Sequence, residues 1–150
     1  EQLHIKPGTG WSETYARCQA EAPEAFGADS LRNLIGGEWV STGETGAHSS
    51  PNDGTVMFGP PRIDHQTAVD SVALAAEQHR AWVAVPLTER VARVTHAVEL
   101  LQSQRELIAM LLVWEIGKPW HIAQADVDRC IDGVRWYLEQ IPRQLKVEFG

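Results

Sequence analysis

From Leu31 onward the spacing of apolar residues changes once, near Asp64. Before that point short apolar runs flank turn-forming residues; after it apolar positions recur every three or four residues, the period of a helix buried along one side. In the first part, LRNLIGGEWV at Leu31 to Val40 sets apolar residues on both sides of Gly36-Gly37, a pair suited to the positive φ angles of a two-residue hairpin turn. SSPNDGTVMFGP at Ser49 to Pro60 repeats the arrangement, with a turn at Asn52-Asp53-Gly54 and a strand over Thr55 to Phe58. Together the two segments are expected to make one small antiparallel sheet. Ahead of them, Trp11, Tyr15, Cys18 and Ala22 share one stripe of a short helix that Ser12 is placed to cap and Pro23 to end. Glu1 to Gly10, punctuated by Pro7, Gly8 and Gly10, reads as a loose arm.

In the second part, Asp64 is placed as a helix cap, and Val69, Val72, Ala76, His79 and Val83 form the buried line of the helix that follows. Val85 precedes a proline and is biased away from helix, so the chain breaks there. Leu87, Val91, Val94, Val98 and Leu101 then continue at spacings of four and three. Ser103 and Gln104 interrupt the pattern before Leu107, Ile108, Leu111 and Leu112 resume it; one bent helix or two would satisfy it equally. Leu107 to Trp114 are eight consecutive apolar residues, far short of the ~20 that would span a bilayer, so the run is expected to be buried in protein. It leads through Glu115 into Gly117-Lys118-Pro119, a joint where glycine ends one helix and proline starts the next. Ala123, Val127, Ile131, Val134, Leu138 and Ile141 form the buried line of the last helix, which Pro142 is expected to end or kink. Val147 to Gly150 reads as extended.

Composition narrows the classes of function. With 150 residues, 43% of them hydrophobic, the chain can form one compact unit. A net charge of -7 and a pI near 5.3 disfavour nucleic-acid backbones and anionic membrane surfaces as partners. Six tryptophans are expected in a core or in packed interfaces. Cys18 and Cys130 are isolated thiols without CxxC pairing, which fits a reducing, cytoplasmic setting, and no signal peptide is visible.

Little local chemistry stands out. No histidine pairs with another His or Cys at metal-ligand spacing, and no GxSxG elbow occurs. His79 reads as a hydrogen-bonded core histidine and Cys130 as a small buried residue on the last helix. Asp126 and Asp128 lie on different helix faces and make no acid/base pair. Gly8-Thr9-Gly10 and Gly43-Glu44-Thr45-Gly46 read as loops, since neither has the strand, third glycine and helix of a phosphate cradle. Glu115 is the one candidate ligand. A carboxylate at the end of an apolar helix needs a donor or a cation.

The order of segments resembles the N-terminal part of the aldehyde dehydrogenase superfamily. LIGGEWV at Leu34 to Val40 resembles the family's first strand pair, and SPNDGTV at Ser50 to Val56 its "NPATGEV" turn. AAEQHRAW at Ala75 to Trp82 and PLTERVARV at Pro86 to Val94 resemble its first two long helices. WEIGKPW at Trp114 to Trp120 resembles its "E-T-GKP" joint, and DVDRCIDGVRWY at Asp126 to Tyr137 the helix beyond. The resemblance covers about four-fifths of the chain.

It implies an α/β fold: residues 31–150 as the incomplete opening of a cofactor-binding domain, with a small β-hairpin sheet and three long helices, and residues 1–30 as an N-terminal arm with a short helix. It implies NAD or NADP as cofactor, a small-molecule aldehyde as substrate, and a homo-oligomer at full length. In such enzymes a cysteine thiolate attacks the aldehyde, hydride passes to the nicotinamide, and water releases the acid. The residues for those steps belong to later segments of the family, and neither Cys18 nor Cys130 lies in a matching context, so this segment is expected to be inactive by itself. At the position of Glu115, some relatives help to hold a monovalent cation with backbone oxygens; pairing with Lys118 or a backbone amide is the alternative. A non-catalytic scaffold or partner-binding module of the same fold is the alternative for the whole chain.

Overall fold

The computed structural model describes residues 10–27, 31–41, 44–59 and 61–149. The readings of residues 1–9 as a loose arm and of the Gly8-Thr9 and Gly43 loops therefore fall outside the described residues, in whole or in part. Helix α1 (Trp11–Glu21) is followed by a 3-10 turn (Pro23–Phe26). Strands β1 (Asn33–Ile35) and β2 (Glu38–Val40), then β3 (His48–Ser49) and β4 (Val56–Phe58), form two antiparallel pairs. Four helices follow: α2 (His65–Ala84), α3 (Leu87–Ser103), α4 (Arg105–Ile116) and α5 (Trp120–Phe149).

Turn chemistry sets most boundaries as the sequence predicts. Gly36 and Gly37 take φ of 60° and 88°, so β1 and β2 reverse through two residues. The Asp64 carboxylate accepts from the Thr67 N–H at 2.8 Å and caps α2. Val85 is extended before Pro86. Between α3 and α4 the helix is broken at Gln104, where Ser103 Oγ donates to the Leu100 carbonyl at 2.7 Å, a local bond that competes with the helical ladder.

Several expectations are corrected. Among the described residues the hairpins form two separate two-stranded sheets, not one, with β1 paired to β2 and β3 to β4. Gly10, not Ser12, is the cap of α1, since helical bonding already begins with Thr14 N–H on the Gly10 carbonyl. Pro142 lies inside α5 and does not end it; an established helix propagates past one missing N–H. For the same reason residues 147–149 continue the helix and are not extended.

The core lies where α4 and α5 cross α3 and α1. Ala109, Met110 and Val113 of α4 meet Trp120, Ala123, Val127 and Ile131 of α5, with Val98 of α3 and Cys18 of α1. The line predicted for α5 is therefore buried at its start and middle, whereas Ile141 is exposed. In α4 the deepest positions are Ala109, Met110 and Val113; Leu107, Ile108, Leu111 and Leu112 are half-buried. Helix α1 is packed into this core: Tyr15 lies against Trp114 at 4.8 Å and edge-on to Phe26 at 5.4 Å between centroids.

Helix α2 departs most from prediction. It contains no buried residue, and its expected inner line faces out, with Val72 71% exposed. The half-buried face is instead Thr67, Ser71, Leu74 and Trp82, because the β1–β2 turn covers that side; a Cβ built on Gly36 would lie 2.6 Å from Leu74 Cδ2. His79 is exposed and is not a core histidine. The tryptophans also divide: Trp120 is buried, but Trp39 and Trp136 are more than half exposed, because one lies on an open hairpin and the other on the outer face of α5.

Candidate functional site

The joint between α4 and α5 is built from two segments far apart in sequence. Gly117 has φ of 70° and its N–H returns to the Val113 carbonyl at 3.0 Å, closing the last turn of α4 in a left-handed cap. Pro119 accepts from Ile122 and Ala123 through its carbonyl and so begins α5. Across the joint sits the β3–β4 hairpin. Its Asn52 Nδ2 donates to the Val113 carbonyl at 2.7 Å, and His48 Nε2 bonds the Glu115 carbonyl at 2.9 Å. A Cβ on Gly117 would lie 3.1 Å from Pro51 Cγ.

Glu115 is half-buried in that last turn. Its carboxylate has no ion pair or side-chain hydrogen bond among the described residues. The expected alternative partner, Lys118, is engaged elsewhere: its ammonium donates to Asp126, which also takes Arg129 at 3.1 Å. The Lys118 bond holds the Asp126 carboxyl below the usual carboxylate range, against a smaller opposing effect of desolvation. Two residues on, Asp128 makes a paired contact with Arg105, Oδ1 to Nε at 2.5 Å and Oδ2 to Nη2 at 2.6 Å. That bond likewise lowers the Asp128 carboxyl. Asp126 and Asp128 thus pair with different cations, in keeping with their placement on different faces.

The surroundings of Cys18 hold its thiol in the protonated form. Burial pushes the Cys18 thiol up to about 11, with Glu106 and Glu21 adding to the effect and Arg17 opposing it, so the group is protonated near neutrality. Cys130 is exposed, not buried as expected, because it precedes the core residue Ile131 by one position and so turns away by about 100°. It lines a shallow apolar groove with Leu101, Leu112 and Val127. Among the described residues no group of three His, Cys, Asp or Glu side chains is placed to hold a metal ion, and no helix is long and apolar enough to cross a membrane. Sequence reading missed the two hairpin donors. Asn52 was legible only as a turn residue and His48 as a scattered histidine, since their partners lie 61 and 67 positions away.

Two antiparallel strand pairs are followed by four helices, with a clamped glycine joint before the last. The model of the aldehyde dehydrogenase family matches residues 39–149, and the chain belongs to that family. Malonate-semialdehyde dehydrogenase 2 of Geobacillus kaustophilus is 30% identical over 112 residues, 73% of this chain and 23% of that protein. The crystal structure of NADP-dependent glyceraldehyde-3-phosphate dehydrogenase from Bacillus halodurans C-125, complexed with NADP, matches with a TM-score of 0.73 at 28% identity, over 77% of this chain and 25% of that one. Thermus thermophilus 1-pyrroline-5-carboxylate dehydrogenase shares the fold with a TM-score of 0.77 at 24% identity, over 93% of this chain and 27% of its own. That coverage exceeds the 120 of 150 residues that follow Ser30, so the shared fold reaches into the N-terminal arm. The chain spans about a quarter of the length of these relatives.

Proposed function

We propose that this chain is the N-terminal portion of the cofactor-binding domain of an NAD(P)+-dependent aldehyde dehydrogenase that oxidises a small aldehyde to its carboxylic acid. The match of residues 39–149 to the family carries this reading. Within it, the 150 residues supply framework, not the thiolate, the general base or the dinucleotide contacts, and a protonated, buried Cys18 agrees with that division. Assembly of the full-length protein into a homo-oligomer in a reducing, cytoplasmic setting belongs to the same reading.

The test is cofactor reduction. The protein as naturally encoded should reduce NAD+ or NADP+ with an aldehyde, and the isolated 150 residues should not. Reduction by the isolated chain that vanishes on replacing Cys18 or Cys130 would overturn the division of labour; no reduction by the encoded protein with any aldehyde would overturn the enzyme reading. The scaffold reading has its own support in the core that α1, α3, α4 and α5 assemble among themselves, and the second of these results would favour it.

Glu115 is proposed as an oxygen ligand for a monovalent cation. The joint fits such an ion in two respects. A carboxylate stands without a cationic partner among the described residues, and it stands at a helix C-terminus, where the aligned peptide dipoles favour positive charge. A bound cation would supply charge neutralisation at the joint. Glu115→Gln should then remove any extra thermal stability that potassium confers over a bulky organic cation, and an unchanged potassium effect would count against the ligand.

A further inference from the structure

Helix α1 is tied to the rest of the fold by a firm anchor at one end and a weak seat along its length. The anchor is the 3-10 turn that follows it. Gly27 closes that turn at a φ of 83°, so near β4 that a Cβ there would lie 2.9 Å from the Met57 carbonyl oxygen. Between helix and anchor, Ala22 leaves the helical region with φ of -139° and ψ of 65°, an element-terminal position of the kind at which hinges form.

The seat on α4 is of another character. Among the described side chains of α1 only Thr14, Cys18 and Ala22 are buried, and all three are small. Thr14 is 1% exposed, yet its hydroxyl has no hydrogen-bond partner among the described residues. Elsewhere such groups bond back one helical turn, Ser71 to the Thr67 carbonyl at 2.7 Å and Thr95 to that of Val91 at 2.9 Å. At the equivalent place the Gly10 carbonyl accepts the backbone N–H of Thr14 at 3.1 Å and not its hydroxyl. A hydroxyl in that position gives up its bonds to water when α1 docks and regains them when α1 lifts away. The Arg17–Glu106 pair across the seat is about half exposed on both sides and adds little. What holds α1 down is Tyr15 against Trp114 at 4.8 Å and the burial of Cys18.

We propose that α1 is a releasable strap that guards Cys18: it swings off α4 about Ala22 while α3, α4 and α5 stay packed, and only then does the thiol react with a low-molecular-weight disulfide. Thr14 and Cys18 are one turn apart on the same face of α1, so both leave the seat together. While docked, the thiol is buried and protonated. Once released it loses the burial that raised it, and its thiolate attacks one sulfur of the disulfide. A new S–S bond joins Cys18 to that sulfur, the old S–S bond breaks, and the other half departs as a thiolate that takes up the proton Cys18 gave. A seat that closes over Cys18 to 1% exposure has no room for the added group. The modified strap therefore stays released until the mixed disulfide is reduced.

The experiment treats the protein as naturally encoded with glutathione disulfide and follows uptake at Cys18 by peptide mass spectrometry across a series of urea concentrations below the unfolding transition. Uptake is proportional to the released fraction, so its slope on urea should be roughly a third or less of the slope for global unfolding. Thr14→Val keeps the shape of the side chain, exchanges the stranded hydroxyl for a methyl group and should slow uptake about tenfold. Arg17→Met should speed it about twofold. Amide exchange in the unaltered protein gives a reading that needs no variant: residues 14–21 should exchange well ahead of residues 123–131. Uptake with the full urea slope, or equal protection in the two segments, would overturn the strap, since Cys18 would then be reached only by unfolding the core. Unchanged or faster uptake in Thr14→Val would overturn the part given to the buried hydroxyl, and no uptake at any urea concentration below the transition would overturn the proposal as a whole.

Discussion

Helices α2 and α5 carry apolar stripes of the same period, yet only one of them is covered. In α5 the line through Ala123, Val127 and Ile131 is buried against α4, while in α2 the line through Val69, Val72 and Val83 faces out. Period alone states that a face exists, not what meets it. What decides is the neighbourhood: α5 is linked to α4 by a three-residue joint and paired with it through Arg105–Asp128, whereas α2 faces the β1–β2 hairpin along one side. Uncovered apolar faces of this extent favour association or further packing.

Core truncation is the sharpest way to test the contrast. Met110→Ala removes a fully buried side chain and should cost about 2–5 kcal/mol in urea unfolding. Val72→Ala in the 150-residue chain should change stability by less than about 0.5 kcal/mol. A similar loss for both would mean that the outer line of α2 is covered in solution, by a second copy or otherwise, and light scattering would identify which.

Acid should act next, and unevenly. The carboxyls of Asp126 and Asp128 sit below their ordinary value in the folded chain because Lys118 and Arg105 bond them. Their contribution is therefore complete above the ordinary carboxylate pKa and is lost as pH falls through the lowered folded values. Both pairs are partly exposed, so the effect is modest and weakened by salt. Unfolding midpoints measured from pH 6 down to pH 2.5 should fall, and Asp128→Asn should flatten the curve. A variant that keeps the full slope would show that the α4–α5 pairing does not depend on this contact.

The smallest effect should come from the α2 cap. The Thr67 N–H, then its hydroxyl, lower the Asp64 carboxyl, and Asp64→Ala leaves the first turn without that acceptor. Hydrogen exchange should quicken at residues 66–68 alone. Loss of protection in α4 or α5 would mean that α2 supports the core after all.

Much of this fold was legible because its signals are local. Gly36-Gly37, Asp64, the Val85-Pro86 step and Gly117 each set a boundary through their own backbone preferences, and the α3 and α5 lines follow from spacing except at their C-terminal ends, where Leu101 and Ile141 are exposed. The misplaced readings depend on distant partners. Nothing within α2 shows that the β1–β2 turn covers Leu74 in place of Val72, and nothing near Cys130 marks it as one step off the buried line. The candidate site was half legible. Glu115 stands out as the one acid closing an apolar run, but the hairpin donors at its carbonyl are joined to it only by folding.

The length of α5 gives the glycine joint a mechanical meaning. Thirty residues of helix reach about 45 Å, while the packed portion ends near Leu138. A change of 10° in direction at Gly117 would sweep the far end through about 8 Å on that rise per residue. A few bonds at one end of α4 therefore act as the pivot of a long lever, and small errors in seating the hairpin are multiplied where the helix leaves the core.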